Sequence, residues 1–431
     1  MEVHVHSSTI IAQGNPNAEP SEVPFTIFDR SAINIHVAVL FAYTPPTPTN
    51  SALTEALSKT LVHFPTLTGR FGYSHRNRPC LLIGGRGGGA LVVEATVASS
   101  LSDHLPLEPS PDFELLHPPR KEAKHLLQVQ LNRFKCGGLV IAVTAHHKVA
   151  DGQSMSTFFI AWGQTARGVP IDCLPVYDQS WLKPRCPPKP EFQHWGTDFV
   201  PIQPNQDGFT VHRVDVDPAK ITNILLRYCS EYITAKLKAN MKEKYTTFET
   251  LLGHIWRKIT IARGLHDGEY TAIQVAVNGR PRLKPAVPSA FFGNLAVDAH
   301  AKASVKQLIE GGLAEAARLI HEAAVSIDSR FMQSFIDFGA MYEDEDLVLV
   351  YELHGNMLSP IVEANSWLGF KFQDVDIGGG GKLQAFLPSW IPVEGMVMFL
   401  PGVNQDGGID VFVSLLEEHA QTLRQISHSL D

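Results

Sequence analysis

Cysteine is scarce in this chain, with five residues in 431: Cys80, Cys136, Cys173, Cys186 and Cys229. No two lie close enough for a zinc site or redox motif, so a disulfide scaffold is excluded and the five read as reduced thiols. A basic surplus is missing too: 36 Lys and Arg stand against 44 Asp and Glu, a net charge of −8. That speaks against a nucleic-acid partner, while a small anion needs only a local cluster of cations. No apolar run approaches the ~20 residues of a membrane helix, so no membrane partner is expected. Met1-Glu2-Val3-His4-Val5-His6 lacks the basic start and apolar stretch of a secretory signal, which makes the cytoplasm the expected compartment. What is there is 44% apolar and 19% charged, the composition of a globular protein. A chain of this length suits two domains of about 200 residues each.

The pattern along the chain predicts α/β architecture. Val3, Val5 and Ile10-Ile11 suggest an edge strand, and the β-rich stretch 34–43 stops at Pro45-Pro46. Leu53, Leu57 and Leu61 recur at helical spacing, with Ser51 as the expected N-cap. Residues 126–144 read as a hairpin around Cys136-Gly137-Gly138. A helix follows Gly152, with Met155, Phe158, Phe159 and Trp162 on one face. Prolines 170, 175, 184, 187, 188, 190, 201 and 204 then crowd 169–205, too many for a packed element. The expected division is an N-terminal domain at 1–195, the end of a Pro-rich crossover at 196–210, and a C-terminal domain at 211–431. Helical periodicity marks 221–232 and Thr247–Ala262, and an apolar strand covers 271–277. Helices are expected at 304–327 and 329–342, short strands across 370–413, and a closing helix at 417–430. Mixed sheet with helices packed on it, built twice, is the predicted fold.

The chemistry concentrates in residues 139–153, an apolar run that ends in His146-His147 and then Asp151-Gly152. A strand that delivers a histidine to its own end suits a proton acceptor at a cleft. The glycine lets the chain turn, so Asp151 supports the histidine's surroundings. Acyl transfer from a thioester needs such a base and a donor for the oxygen of the tetrahedral adduct. It needs no covalent enzyme intermediate, because thiolate already leaves well. A lone histidine at a strand end is more often a satisfied structural one; the set His-His-x-x-x-Asp-Gly after an apolar strand reverses that balance. Rival constellations are weak. Cys136 with His147 would make a thiol pair, but Cys136 falls in the hairpin turn. His4 and His6 lack further metal ligands, and the glycines at 84–89 lack the ending of a phosphate loop. No metal is expected.

Several segments in order resemble the plant BAHD acyltransferase family. They are His147-Lys148-Val149-Ala150-Asp151-Gly152 with Arg167-Gly168 downstream, Phe64-Pro65 with Gly69-Arg70, and Thr247-Phe248-Glu249 with Trp256-Arg257. Asn278-Gly279-Arg280-Pro281-Arg282, Phe291-Phe292-Gly293-Asn294, Ser366-Trp367 and Asp376-x-Gly378-x-Gly380 follow along nearly the whole chain. The resemblance implies two chloramphenicol-acetyltransferase-like domains with a solvent channel between them. It implies a coenzyme A thioester as acyl donor and no permanently bound cofactor. It assigns His147 as general base and Trp367 as an indole donor to the thioester oxygen. Asp151, paired with Arg280, is assigned as structural support, and so are Asp376, Gly378 and Gly380.

The glycine motif departs from the family's Asp-Phe-Gly-Trp-Gly, since Ile377 and Gly379 replace both aromatics. Members that acylate agmatine, tryptamine and related amines commonly carry glycine there. The coenzyme's phosphates need local cations, for which Lys236, Lys238, Lys242 and Lys244 are the candidates, with Thr246 and Thr247 for the pantetheine arm. Members that acylate shikimate-like acids carry an arginine near the position of Glu352. Glu352, Glu363 and Asp374 instead supply negative charge, which attracts a cationic acceptor and repels a carboxylate. The expected activity is transfer of a hydroxycinnamoyl or benzoyl group from coenzyme A to an amine, forming an amide, by a monomer. An O-acyltransferase acting on an alcohol and a catalytically silent acyl-CoA binder are the alternatives.

Overall fold

In this computed structural model the described residues are 1–119, 123–194, 199–201, 214–238, 245–343, 347–349, 355–402 and 407–430. They form two compact units. The first comprises Met1–Trp181, Pro288–Leu295 and Phe370–Trp390; the second comprises Leu182–Val287, Ala296–Gly369 and Ile391–Asp431. Two short segments from the second half of the sequence therefore belong to the first unit.

The first unit is built on a six-stranded mixed sheet. Its order is Val3–Ile11, Ala90–Val97, Leu127–Phe134, Leu139–His146, His36–Tyr43 and Leu383–Pro388. The expected N-terminal edge strand is there, and the hairpin pairs Leu127 with Ala145 and Arg133 with Leu139. Leu139–His146 is buried along its whole length, so it reads as a continuous apolar run and not as an alternating one. The helix Asn50–Leu61 buries Leu53, Leu57 and Leu61 as expected, but its N-cap is Thr49, not Ser51. Thr49 Oγ1 accepts from the Ala52 amide at 3.2 Å, which leaves Ser51 inside the first turn. The helix Gly152–Ala166 packs against it, and the Trp162 indole donates to the Leu53 carbonyl at 3.1 Å while lying stacked on Phe158.

The second unit repeats the plan with the order Ile221–Tyr228, Ile409–Leu416, Met396–Pro401, Ile361–Ser366, Tyr270–Asn278 and Ala296–Ser304. One expectation is overturned here. Most of the stretch 221–232 is not helical: Ile221–Tyr228 is a strand paired along its full length with Ile409–Leu416, and helical backbone begins only at residue 230, leading into the π-helix Tyr232–Leu237. Ile224, Leu226 and Tyr228 enter the core at every second residue, whereas Asn223 spends its amide on Ile391 O and Ser414 Oγ. The period is two, which a run of Ile and Leu conceals. The helix expected at 304–327 is two helices, Val305–Glu310 and Gly312–Ser326. They are separated where Gly312 takes φ +70°, a left-handed value that favours glycine. Thr247–Ala262 begins with a full capping box between Thr246 and Glu249. Arg263 and Glu394, both buried, form a 2.7 Å ion pair, and Arg263 also donates to the Ile361 carbonyl, fixing the start of Ile361–Ser366. No helix among the described residues is long and apolar enough to cross a membrane.

Candidate functional site

His147 opens a single 3-10 turn, His147–Val149, directly after the buried strand Leu139–His146. Its backbone is fixed on both sides. The His147 amide donates to the Ile35 carbonyl at 2.9 Å, and its carbonyl accepts from Asn294 Nδ2 at 2.9 Å. His146 caps the turn, its Nδ1 accepting from the Lys148 amide at 3.2 Å. Burial, followed by neighbouring His36 and Lys148, drives the His146 imidazole down to about 3, so this ring is neutral and serves as an acceptor. The two adjacent histidines thus have different settings: His146 is packed between His36 and Phe71, while His147 is half-buried.

Asp151 is the N-cap of Gly152–Ala166 and is buried. Its Oδ1 accepts from the Ser154 amide at 2.9 Å and its Oδ2 from the Leu295 amide at 3.1 Å. The aspartate therefore ties the helix to the segment Pro288–Leu295. That segment holds the loop at three successive residues. The Ser154 hydroxyl donates to the Gly293 carbonyl at 2.8 Å, Asn294 reaches His147, and Leu295 reaches Asp151. Asn294 is held in turn by Asp29, whose Oδ1 accepts from both the side-chain amide (3.0 Å) and the backbone amide (3.3 Å). Asp29 Oδ2 closes a capping box with Thr26 at the head of the short helix Ile27–Ser31. Burial pushes the Asp29 carboxyl up, against hydrogen bonds from Asn294 and Thr26 that favour its ionised form.

The glycine motif is a structural corner of the first unit. Asp376 accepts from the Gly378 amide at 2.8 Å and pairs with Arg167 at 3.1 Å, and Tyr43 Oη donates to the Val375 carbonyl. Gly378 and Gly380 both take positive φ, and a Cβ on Gly381 would lie 2.0 Å from the Thr44 carbonyl oxygen. No indole is needed to hold this corner, because Arg167 and the 44–48 backbone do so. Asp374 is exposed at the end of a 3-10 turn, Phe372–Asp374, and nothing in its setting singles it out. Cys136 lies exposed in the hairpin turn, its sulfur accepting from the Leu101 amide.

The second unit holds the other candidates. Glu363, on Ile361–Ser366, stands opposite Gln274, which in turn stands opposite His300, so the three side chains share one sheet face with Asp298 and Asn365. Burial, with Asp298 nearby, pushes the Glu363 carboxyl up to about 8; a hydrogen bond from Asn365 pulls the other way. Its Oε2 is buried with no hydrogen-bond partner among the described residues. Trp367 follows the same strand, 9% exposed, its amide donating to the Phe399 carbonyl. Arg280 is buried and donates through its amide and Nη1 to Asn278 Oδ1. Lys236 is exposed; Lys238 Nζ donates to Thr247 Oγ1 at 2.9 Å, while the Thr246 hydroxyl is taken up by the capping box. Glu352, Lys242 and Lys244 lie outside the described residues. Among those described, no cluster of three metal-ligating side chains occurs.

Sequence reasoning named neither Asp29 nor Asp298, and it noted Asn294 only as part of a signature. The pattern Thr26-x-x-Asp29 carried a capping-box signal that could have drawn attention to Asp29.

A family model described as the Transferase family matches residues 1–429. The chain is 35% identical to agmatine hydroxycinnamoyltransferase 1 of Oryza sativa subsp. japonica, over 100% of this chain and 99% of that protein. It is also 35% identical to tryptamine hydroxycinnamoyltransferase 2 of the same plant, over 94% of this chain and 93% of the other. Among solved structures, vinorine synthase matches with a TM-score of 0.73 at 19% identity, covering 100% of this chain and 98% of that one, a likeness of fold.

Proposed function

The chain belongs to the Transferase family, the BAHD acyltransferases, and on that footing we propose that it moves a hydroxycinnamoyl or benzoyl group from coenzyme A to an amine, forming an amide. The amine nitrogen attacks the thioester carbonyl, and His147 takes the proton that nitrogen must lose. The tetrahedral oxygen is met by the indole N–H of Trp367. Collapse breaks the carbon–sulfur bond, and the departing thiolate receives the proton from His147. Asp151, Arg280, Asp376, Gly378 and Gly380 keep the surrounding backbone in place. Lys236, Lys238 and Thr247 attend the coenzyme, and Thr246 caps the helix that follows. The enzyme works as a cytoplasmic monomer.

The observation that carries the amine reading is Glu363. A buried carboxyl oxygen without a hydrogen-bond partner is costly unless a ligand completes it, and a cationic acceptor does so. A bound cation favours the ionised form of Glu363, whereas a shikimate-like carboxylate would hold it protonated and gain no ion pair from it. Asp374 and Glu352 belong to the same acidic stretch of sequence, but Glu363 is the residue with the distinctive setting.

A mass-spectrometric product screen tests the proposal. Purified protein is given p-coumaroyl-, feruloyl-, benzoyl- and acetyl-coenzyme A, each with mixed amines and alcohols. The expected product is an amide. His147→Ala should lower turnover ~10²–10⁴-fold, the usual share of a positioned base, with folding intact. Ester products alone would reject the amine reading, and a near-normal rate in the variant would remove His147 from the mechanism.

A further inference from the structure

Four contacts define the peptide of His147: its amide on Ile35 O, its carbonyl on Asn294 Nδ2 and on the Ala150 amide that closes the turn, and the following amide on the His146 ring. Of these, the Asn294 contact comes from a side chain that is itself hydrogen-bonded to a second side chain, whereas the His146 ring is held by packing against His36 and Phe71. Asn294 is 4% exposed and Asp29 9% exposed, so water does not substitute readily for either. The Asp29 carboxylate uses one oxygen for Thr26 and the other for Asn294, so both of its oxygens are committed. This makes Asn294 a one-way bridge. One amide hydrogen is anchored by a fixed carboxylate, and the other is aimed at the carbonyl of His147.

We infer that Asn294 and Asp29 are positioning residues for His147, holding its peptide plane and with it the direction in which the imidazole leaves the strand. Neither residue touches the reacting atoms in this arrangement. The inference rests on the reading of His147 as the base. The physical reason is leverage: rotation of a peptide plane swings the attached ring, and a base displaced by about 1 Å loses on the order of 10²-fold in rate. Asp151 is no substitute, because its oxygens are spent on Ser154 and Leu295, beyond the turn.

The test is a small set of variants assayed for kcat, KM, pH–rate profile and melting temperature. The acyl donor and amine are those found in the product screen. Asn294→Ala should lower kcat ~10–10²-fold with KM for the acyl donor within about two-fold, and should shift the limb of the kcat–pH profile that reports the base. Asn294→Ser, small and polar, replaces it if the alanine variant does not fold. Asp29→Asn should act in the same direction, because it turns an amide N–H toward donors. The double exchange Asp29→Asn with Asn294→Asp separates positioning from simple stability. It restores a donor–acceptor pair between the two side chains but leaves the His147 carbonyl without its side-chain donor, only the Ala150 amide of the turn remaining on it. Melting temperature should therefore recover while kcat does not. Recovery of kcat together with stability would overturn the inference, as would single variants with an unchanged rate and pH profile. A His147→Ala enzyme of near-normal rate would overturn the base and this inference together. An inactive His147→Ala beside unaffected Asn294 variants would reject the positioning role alone.

Discussion

A carboxyl group that keeps its proton up to about pH 8 makes Glu363 act oppositely on stability and on binding. Because its folded value is raised, the stability linked to its protonated form is complete below about pH 4.5. That stability is lost as pH rises toward 8, since the unfolded chain ionises there and the folded chain resists. The slope is at most about 1.4 kcal/mol per pH unit. Glu363→Gln should flatten the decline of melting temperature between pH 6.5 and 8; thermal melts across that range that keep the wild-type slope would contradict the assignment. In binding, the ionised form is the useful one. The same substitution should raise the KM for an acceptor with a second cation, such as agmatine, more than for tryptamine, which has only the reacting nitrogen. Equal effects on the two acceptors would deny Glu363 a direct part in recognising charge.

The turn after His147 shows how an element boundary carries two duties on one side chain. Asp151 caps Gly152–Ala166 with one oxygen and receives the Leu295 amide with the other. Asp151→Ala removes a cap and leaves a buried N–H, which together cost about 2–4 kcal/mol. Asp151→Asn keeps one acceptor but turns an amide toward the second donor, so it should fall between the two in melting temperature. A rate loss in Asp151→Ala with an unchanged melt would contradict the structural role. Much of this neighbourhood was legible beforehand. The apolar strand, the histidine at its end, the hairpin around Gly137 and the helix from Gly152 follow from local pattern and turn chemistry. Thr247–Ala262 was legible to its ends, because its capping box is written in sequence. Ile221–Tyr228 was not, because Ile and Leu satisfy either period and only its pairing with Ile409–Leu416 decides. Ala296–Ser304 went unread because its inward residues include Ala299, Ala301 and Ala303, too small and too helix-prone to announce a strand. The link from Asn294 to His147 joins residues far apart in the chain, and no local rule reports such a contact.

Taken whole, the molecule is built to be labile in acid. His117 and His146 are driven to about 3, and His194 and His254 to about 4, in each case chiefly by burial. Lowered values mean that the stability tied to these neutral rings is present above about pH 6.5 and is lost as pH falls below it. Melting temperature should drop steeply from pH 6.5 to 4.5, and His117→Gln should remove part of that drop. A melt profile unaffected by the substitution would contradict a neutral, buried His117. The interleaved segments bear on a different matter, the inheritance of function. Leu383–Pro388 supplies the sixth strand of the first sheet, and Gly293–Leu295 grips the histidine turn, yet both are encoded after the proline-rich stretch. A gene recombined at that stretch would take its histidine from one parent and the fastening of that histidine from the other. The two halves of this chain are thus poor units of exchange. On the positioning reading, an exchange at Asn294 calls for a matching change at Asp29 or around His147.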